Sequence, residues 1–469
     1  MNKRKNNLML TFSFQSAYAS VRIPSEVKAL LFALQLRDPD LSQLMRLDDD
    51  GWTKLLSYCD VAHLTLRVAQ LPAGCMPHWV AKRLNRNLAD NALRFERVKA
   101  TYREASAVLD RAGVDHLVIK GFAQSPDYVA DPRLRAQSDI DVLCLPKCIE
   151  TASKALQSIG YRPSDAEPSY VLADHAPTLV RIGNWTWRGN SFDPEMPLSL
   201  ELHFCLWNEP VSQTPMPEVR AFWERRSHRE LDGLVFPSLS GVDQLAYMTL
   251  HILRNLFLRA WIIHHVRELA VFLNNHADDD AFWHSWSKIH SSRMRSIQAI
   301  AFYYARAWFN CRLHPMAAHE IDTLPANRRS WLDCFCGSAL ESMFRLNKDF
   351  MWLQLTLVPT MAGKWKILRR AFFPARIARI GVLPIRIENR RIVPSRAASH
   401  WQQYIAYLYS RTFAYARSNM ATLARGFGWY VSRAVFSAEA GMRKGSKDPG
   451  KGSTDFGLAG ERLDDVHPF

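Results

Sequence analysis

Leu117-Val118-Ile119-Lys120-Gly121, followed seventeen residues after the glycine by Ser138-Asp139-Ile140-Asp141-Val142-Leu143, limits what this chain can fold into more than any other stretch. The pattern predicts a strand, a glycine turn, a short helix, an irregular arm and a second strand. Side chains alternate along a strand, so Asp139 and Asp141 share one face while Ile140, Val142 and Cys144 form the apolar one. Two carboxylates held close together repel and need a counter-charge. A hard divalent cation is the natural one, because Mg²⁺ favours carboxylate oxygens together with substrate phosphates. A glycine turn beside the pair lets backbone approach a phosphate closely. The combination implies metal-dependent phosphoryl or nucleotidyl transfer. A lone Asp-x-Asp pair is equally at home in a solvated surface turn, so companions matter.

One companion is Pro197 to Trp207, where apolar and polar residues alternate. Leu198, Leu200, Leu202, Phe204 and Leu206 form one face; Ser199, Glu201, His203 and Cys205 form the other. A strand here would set Glu201 and His203 side by side. Two-metal phosphoryl transfer needs several carboxylates around its ions, and Glu201 would supply the third. An edge strand with a solvated Glu and a half-buried His explains the pattern equally well.

Lys120-Gly121, Asp131-Pro132-Arg133-Leu134-Arg135 and Ser138-Asp139-Ile140-Asp141-Val142-Leu143 together resemble the uncharacterised nucleotidyltransferase family of the DNA polymerase β-like superfamily. Glu201-Leu202-His203-Phe204 is similar to the family's later Glu-Leu-His-Trp segment, His175-Ala176-Pro177 to its His-x-Pro element, and Phe372-Phe373-Pro374 to its late Phe-Pro signature. The resemblance implies an α+β fold: a small mixed nucleotidyltransferase-type sheet flanked by helices, with N-terminal and C-terminal helical regions. It also implies roles. Asp139 and Asp141 would hold Mg²⁺ or Mn²⁺ with a nucleoside triphosphate, and Glu201 would be the third carboxylate, binding metal or activating the acceptor hydroxyl. Gly121 would shape the phosphate loop, Lys120 and Arg135 would offset phosphate charge, and Ser138 and His203 would line the substrate site. The superfamily's usual turn is Gly-Ser or Gly-Gly, whereas Phe122 follows Gly121 here, and the gap from Gly121 to Asp139 is longer than in the superfamily at large.

Pattern divides the chain into an N-terminal tail (1–24), a helical region (25–112), the α/β core (113–212), a helical domain (213–362), a basic amphipathic helical region (363–436) and a disordered tail (437–469). Within these, Asn87 to Arg111 is expected as a long amphipathic helix ended by Gly113, and Ile149 to Ile159 as a helix stopped by Gly160. The apolar stretch Ala246 to Leu273 is expected as helix and is too often interrupted by charge for a membrane span. His251 and His265 lie fourteen residues apart on it, about four turns, which separates them unless the helix bends. Lys3-Arg4-Lys5 and the apolar run after it mimic a signal peptide, but the run is short and broken by Thr11 and Ser13. The eight cysteines are scattered with no Cys-x-x-Cys pair, which suits reduced thiols in a cytoplasmic protein.

Charge is concentrated near the C-terminus. Residues 364–433 hold fourteen Lys or Arg and one acid, giving +13 of the chain's +15. Interleaved aromatics there suit an anionic partner, either a nucleic acid or an anionic membrane surface reached from the inner face. Packing on the core with solvated cations is the plain alternative.

Three functions remain open on the sequence. The first is nucleotidyl transfer from a nucleoside triphosphate to a hydroxyl of a small molecule, sugar, protein or RNA. The second is a catalytically silent nucleotide-binding module, kept open by the missing Gly-Ser hydroxyl. The third is a metal-dependent glycosyltransferase using a nucleotide sugar, less well matched because a helical region precedes the first strand.

Overall fold

The protein is described by a computed structural model that covers residues 21–164, 174–181, 183–260, 262–345, 347–373, 385–388, 391–394, 413 and 415–445. Residues 1–20 of the expected N-terminal tail, residues 446–469 of the expected C-terminal tail and most of 374–414 lie outside the described residues.

Seven strands form one open mixed sheet: β1 (His116–Val118), β2 (Asp139–Cys144), β3 (Tyr161–Pro163), β4 (Leu179–Arg181), β5 (Ser199–His203), β6 (Ser227–Leu231) and β7 (Leu234–Ser238), in the order β3-β4-β5-β2-β1-β7-β6. At its centre β2 pairs antiparallel with β1 and parallel with β5. The fold is therefore the expected mixed sheet flanked by helices, with more strands than expected. The hairpin β6–β7 lies inside residues 213–362, expected as a helical domain. Asp232 and Gly233, both at positive φ, make its two-residue turn, and β7 then adds parallel to β1.

The two faces of the sheet are covered by different helices. On one, Ile140, Val142, Leu200 and Leu202 pack with Phe95, Val98, Tyr102 and Leu109 of the helix His78–Arg111, and with Ala152 and Leu156 of the helix Ile149–Ser158. Each fully buried side chain of this kind contributes roughly 1.5–3 kcal/mol. The long helix starts nine residues before its expected beginning and ends at Arg111, with Gly113 at φ 67° behind it. On the other face, Leu117, Ile119 and Leu143 join the larger core of the helical half, built on Gly241–Leu258, Ile263–Asn275 and Ser292–Phe309. Asp139, Asp141 and Glu201 have the parity of this second face, so the carboxylates point between the sheet and the helical half.

The stretch expected as one helix from Ala246 to Leu273 is two. The first ends at Leu258 with Arg259 in the left-handed region at φ 59°, and the second begins at Ile263. In the basic stretch the described residues comprise the helix Met361–Phe372, a two-stranded hairpin Ile385–Glu388 and Arg391–Pro394, and the helix Tyr415–Gly445. That last helix runs nine residues past 436 into the segment expected to be disordered. All eight cysteines are free, five of them buried. Among the described residues no helix is long and apolar enough to cross a membrane.

Candidate active site

The floor of the site is set by strand register. β2 and β5 run parallel with Asp139 opposite Ser199, Asp141 opposite Glu201 and Leu143 opposite His203. Alternation then puts Asp139, Asp141, Glu201 and His203 on one face. Asp141 is buried at 3% exposure. Its Oδ1 accepts a hydrogen bond from Lys120 Nζ at 2.6 Å and lies 2.9 Å from His203 Nε2. Glu201 Oε2 stands 3.4 Å from the same Nε2, and Glu201 Oε1 accepts from Thr178 Oγ1 at 3.3 Å. Behind His203 is Asp174, whose Oδ2 is 3.7 Å from Nδ1 and whose Oδ1 is paired with Arg254. The His175-Ala176-Pro177 element borders β5, where His175 bridges His203 and Ala176 N–H donates to Leu202 C=O.

These contacts give the two aspartates opposite characters. Burial alone would raise the Asp141 carboxyl, but the Lys120 ammonium and the His203 hydrogen bond outweigh it and hold Asp141 well below the usual carboxylate range. Burial pushes Asp139 up to about 7, aided by the neighbouring charges of Asp141 and Glu201 and only partly countered by Lys120 and Arg135. Burial opposes the Lys120 charge, yet Asp141 and Glu201 keep that lysine above its ordinary value. Burial and the Lys120 charge likewise oppose protonation of His203, but hydrogen bonds to Asp141 and Glu201 raise it.

A cavity of about 180 Å³ opens over this floor. Lys120, Arg135, Ser138, Asp139 and Asp141 line its sheet side. Its opposite wall comes from the helical half: His251, His264, His265 and Glu268, with His63 and Arg67 from the N-terminal helical region. Glu268 Oε1 accepts from Arg135 Nε at 3.0 Å and lies 3.8 Å from Arg67. Burial would raise Glu268, but these arginines and His265 pull it down to about 2.

The structure thus brings together Asp139, Asp141, Glu201, His203, Lys120, Arg135 and Ser138. Gly121 stands apart. It adopts φ 65°, and the space its Cβ would fill is taken by the Gln137 side chain, which would lie 2.3 Å away. Gln137 in turn donates to Asp139 C=O at 2.7 Å. Gly121 therefore admits Gln137, and through it fixes the entry to β2. Phe122 is buried against Tyr102 and Phe236. The histidine wall, Glu268, Arg67 and Gln137 were missed in the sequence. The only signal for the wall was the crowding of His251, His264 and His265.

The donor set suits a hard divalent cation. One ligand atom from each of Asp141, Glu201 and His203 lies within 4.8 Å of the others. Lys120 and His203 both engage Asp141 Oδ1, and Oδ2 carries no hydrogen bond among the described residues. Asp139, one alternation along β2, adds a further carboxylate beside this cluster.

A family model described as an uncharacterised nucleotidyltransferase matches residues 48–310. That span holds the sheet, the cavity and both of its walls. No curated protein and no solved structure matches the chain.

Proposed function

The chain belongs to this uncharacterised nucleotidyltransferase family, and on that premise we propose that it moves a nucleoside monophosphate from a nucleoside triphosphate to an acceptor hydroxyl. The observation that carries the reading is the register of β2 on β5. It sets Asp141 beside Glu201, with Asp139 one alternation away, under a cavity that also holds Lys120 and Arg135.

Asp139, Asp141 and Glu201 would hold Mg²⁺ or Mn²⁺, with His203 fixing the Asp141 carboxylate. When bound, such ions neutralise triphosphate charge and stabilise an in-line displacement. Lys120 and Arg135 add cationic contacts for phosphate oxygens, and Glu268 fixes the direction of the Arg135 fork. Ser138, exposed at the mouth, would hydrogen-bond the substrate. The acceptor oxygen forms its bond to the α-phosphorus as the α–β phosphoanhydride bond breaks. Pyrophosphate leaves, and the hydroxyl proton passes to Glu201 or to solvent. The acceptor class stays as wide as the sequence left it: small molecule, sugar, protein or RNA. Triphosphate use would suit a cytoplasmic protein, and the charge of the basic stretch 364–433 would suit an anionic partner, lipid or nucleic acid.

A second reading, nucleotide binding without turnover, is favoured by the glycine turn. Gln137 fills the space beside Gly121, and the next side chain is a buried phenylalanine rather than a hydroxyl. The deciding experiment follows label from each α-labelled nucleoside triphosphate, with Mg²⁺ or Mn²⁺ and total cell extract as acceptor. Transfer onto any acceptor class that is absent in an Asp139→Asn/Asp141→Asn variant supports the enzyme. Metal-dependent nucleotide binding with no transfer supports the silent module.

A further inference from the structure

The helix Tyr415–Gly445 turns an apolar face outward. Its inner face is well held. Trp429 Nε1 donates to Ser330 Oγ at 3.0 Å, Arg425 pairs with the buried Asp349 at 3.2 Å, and Thr422 Oγ1 accepts from Lys348 N at 3.2 Å. At Gly426 the helix comes so close to Trp352 that a Cβ would lie 2.2 Å from its ring. With that face fixed, the opposite one carries Met420, Leu423, Phe427 and Val431, spaced three or four residues apart in a single stripe. Met420 is 67% exposed and Phe427 72%. Ala416, Ala421 and Ala424 are exposed around them, and Arg417 is the one charged residue there.

A second exposed apolar set belongs to the helix Met361–Phe372 and the residue after it. Met361 is 77% exposed, Trp365 65% and Phe373 78%, interleaved with the exposed cations Lys366 and Arg369. The two helices are tied where they meet: Tyr415 Oη donates to Ala371 C=O at 2.6 Å, and Lys348 Nζ donates to both Ala371 C=O and Asn419 Oδ1. Neither 361–373 nor 415–431 contains an acidic residue.

We propose that these two helices form a docking surface for an anionic lipid bilayer, with Met420, Leu423, Phe427, Val431, Trp365 and Phe373 entering the headgroup–acyl boundary. Exposed apolar side chains on well-anchored helices call for an apolar phase to cover them, and cations without carboxylates select a negatively charged one. Nucleic acid is the poorer match, because Met420, Leu423 and Val431 make up most of the outward stripe and offer no face for base stacking, and its one aromatic, Phe427, stands among them. A second copy of the chain is also poorer, because two such surfaces would bring like charges together. Tryptophan beside lysine and arginine suits an interfacial helix that lies on a membrane without crossing it. The surface is separate from the cleft, so this inference holds or fails independently of the transferase reading.

The test uses the full-length protein and sedimentation with vesicles of phosphatidylcholine, alone or mixed with phosphatidylglycerol. Binding to the mixed vesicles, none to phosphatidylcholine alone, and weakening by added salt are expected. The triple variant Met420→Gln/Leu423→Gln/Phe427→Gln alters exposed positions only. It should keep the wild-type circular dichroism spectrum and lose about tenfold or more in vesicle partitioning. Absence of binding to anionic vesicles, or equal binding by the triple variant, would overturn the proposal. So would binding of single-stranded RNA, or dimerisation seen by light scattering, in place of vesicle binding and lost in the triple variant.

Discussion

His251 and His265 stand fourteen residues apart in the chain, and their Nε2 atoms lie 3.2 Å from each other. The left-handed turn at Arg259 folds the second helix back beside the first and makes this contact. Asn255 Nδ2 also reaches His251 Nε2, at 3.0 Å, so that nitrogen is best satisfied as the acceptor of two donors, and His265 donates from its own Nε2. The His251 ring must be neutral for this. Burial first, then neighbouring positive groups, keep His251 well below the ordinary histidine value, and burial likewise lowers His265 against the pull of Glu268.

A pH dependence of stability follows. With folded-state pKa values depressed, the unfolded chain binds more protons than the folded one below the ordinary histidine value. The stability contributed by neutral burial is therefore complete above about pH 6.5 and declines as pH falls. We predict that these two rings together withdraw about 1–3 kcal/mol of stability between about pH 7.5 and pH 5.5, against the opposite contributions of Asp139 and His203, whose folded-state values are raised. In urea unfolding a His251→Asn/His265→Gln variant should therefore lose less stability than the wild type over the same window. An unchanged slope in the variant would mean that these rings do not govern acid sensitivity. Glu268, at about 2, has the opposite protonation habit but the same sign: its contribution is complete above the ordinary glutamate value and is lost only in stronger acid.

Asp139→Asn/Asp141→Asn should remove metal-dependent transfer by about a thousandfold or more, because the donors that would hold the ions go with it. The variant keeps the shape of the carboxylates and removes their repulsion, but it leaves the Lys120 ammonium with Glu201 alone as a nearby counter-charge, so it should fold with reduced stability. Isothermal titration with Mn²⁺ checks this apart from activity. Unaltered Mn²⁺ affinity would place the metal elsewhere.

Lys120 and Asp141 are buried together. The Lys120 ammonium and the Asp141 carboxylate are 13% and 4% exposed at the side chain, so each depends on the other as a counter-charge. Lys120→Met leaves Asp141 with His203 as its partner and should lower unfolding free energy by about 3 kcal/mol. Adding Asp141→Asn to that variant should restore much of the loss. Equal stability of the single and double variants would show that His203 alone suffices.

Much of the floor was legible in the sequence because strand alternation has a period of two. Asp139 with Asp141, and Glu201 with His203, could be paired on their faces from spacing alone, although nothing in the spacing says that β2 and β5 are neighbours. The hairpin at 227–238 was legible too, in Asp232-Gly233 between Leu231 and Leu234, but the surrounding helices hid it. The histidine wall was not legible. It depends on a left-handed residue at Arg259, where arginine gives no sign of a turn, and on tertiary packing that carries His63 and Arg67 in from another region. The outward apolar stripe of 415–431 was hidden for a related reason: periodicity finds an amphipathic helix but not which face meets the core. Gln137 escaped because its role exists only through the space left by Gly121.

That space gives the last prediction. Gly121→Ala should fail twice. At φ 65° an alanine is strained by about 1–2 kcal/mol. Its Cβ would also meet Gln137 Nε2 at 2.3 Å and Cδ at 2.6 Å, pushing the amide off the Asp139 carbonyl. The steric part belongs to the pair and the backbone part to residue 121 alone, so a double-mutant cycle separates them. Gln137→Ala should cost about 1 kcal/mol for its lost hydrogen bond. Gly121→Ala/Gln137→Ala should be less destabilised than the sum of the single variants by about 1 kcal/mol or more, with the backbone strain left over. Urea unfolding of the four proteins measures this. Additivity would show that Gln137 moves aside freely, and the glycine would then be needed for its backbone angle alone.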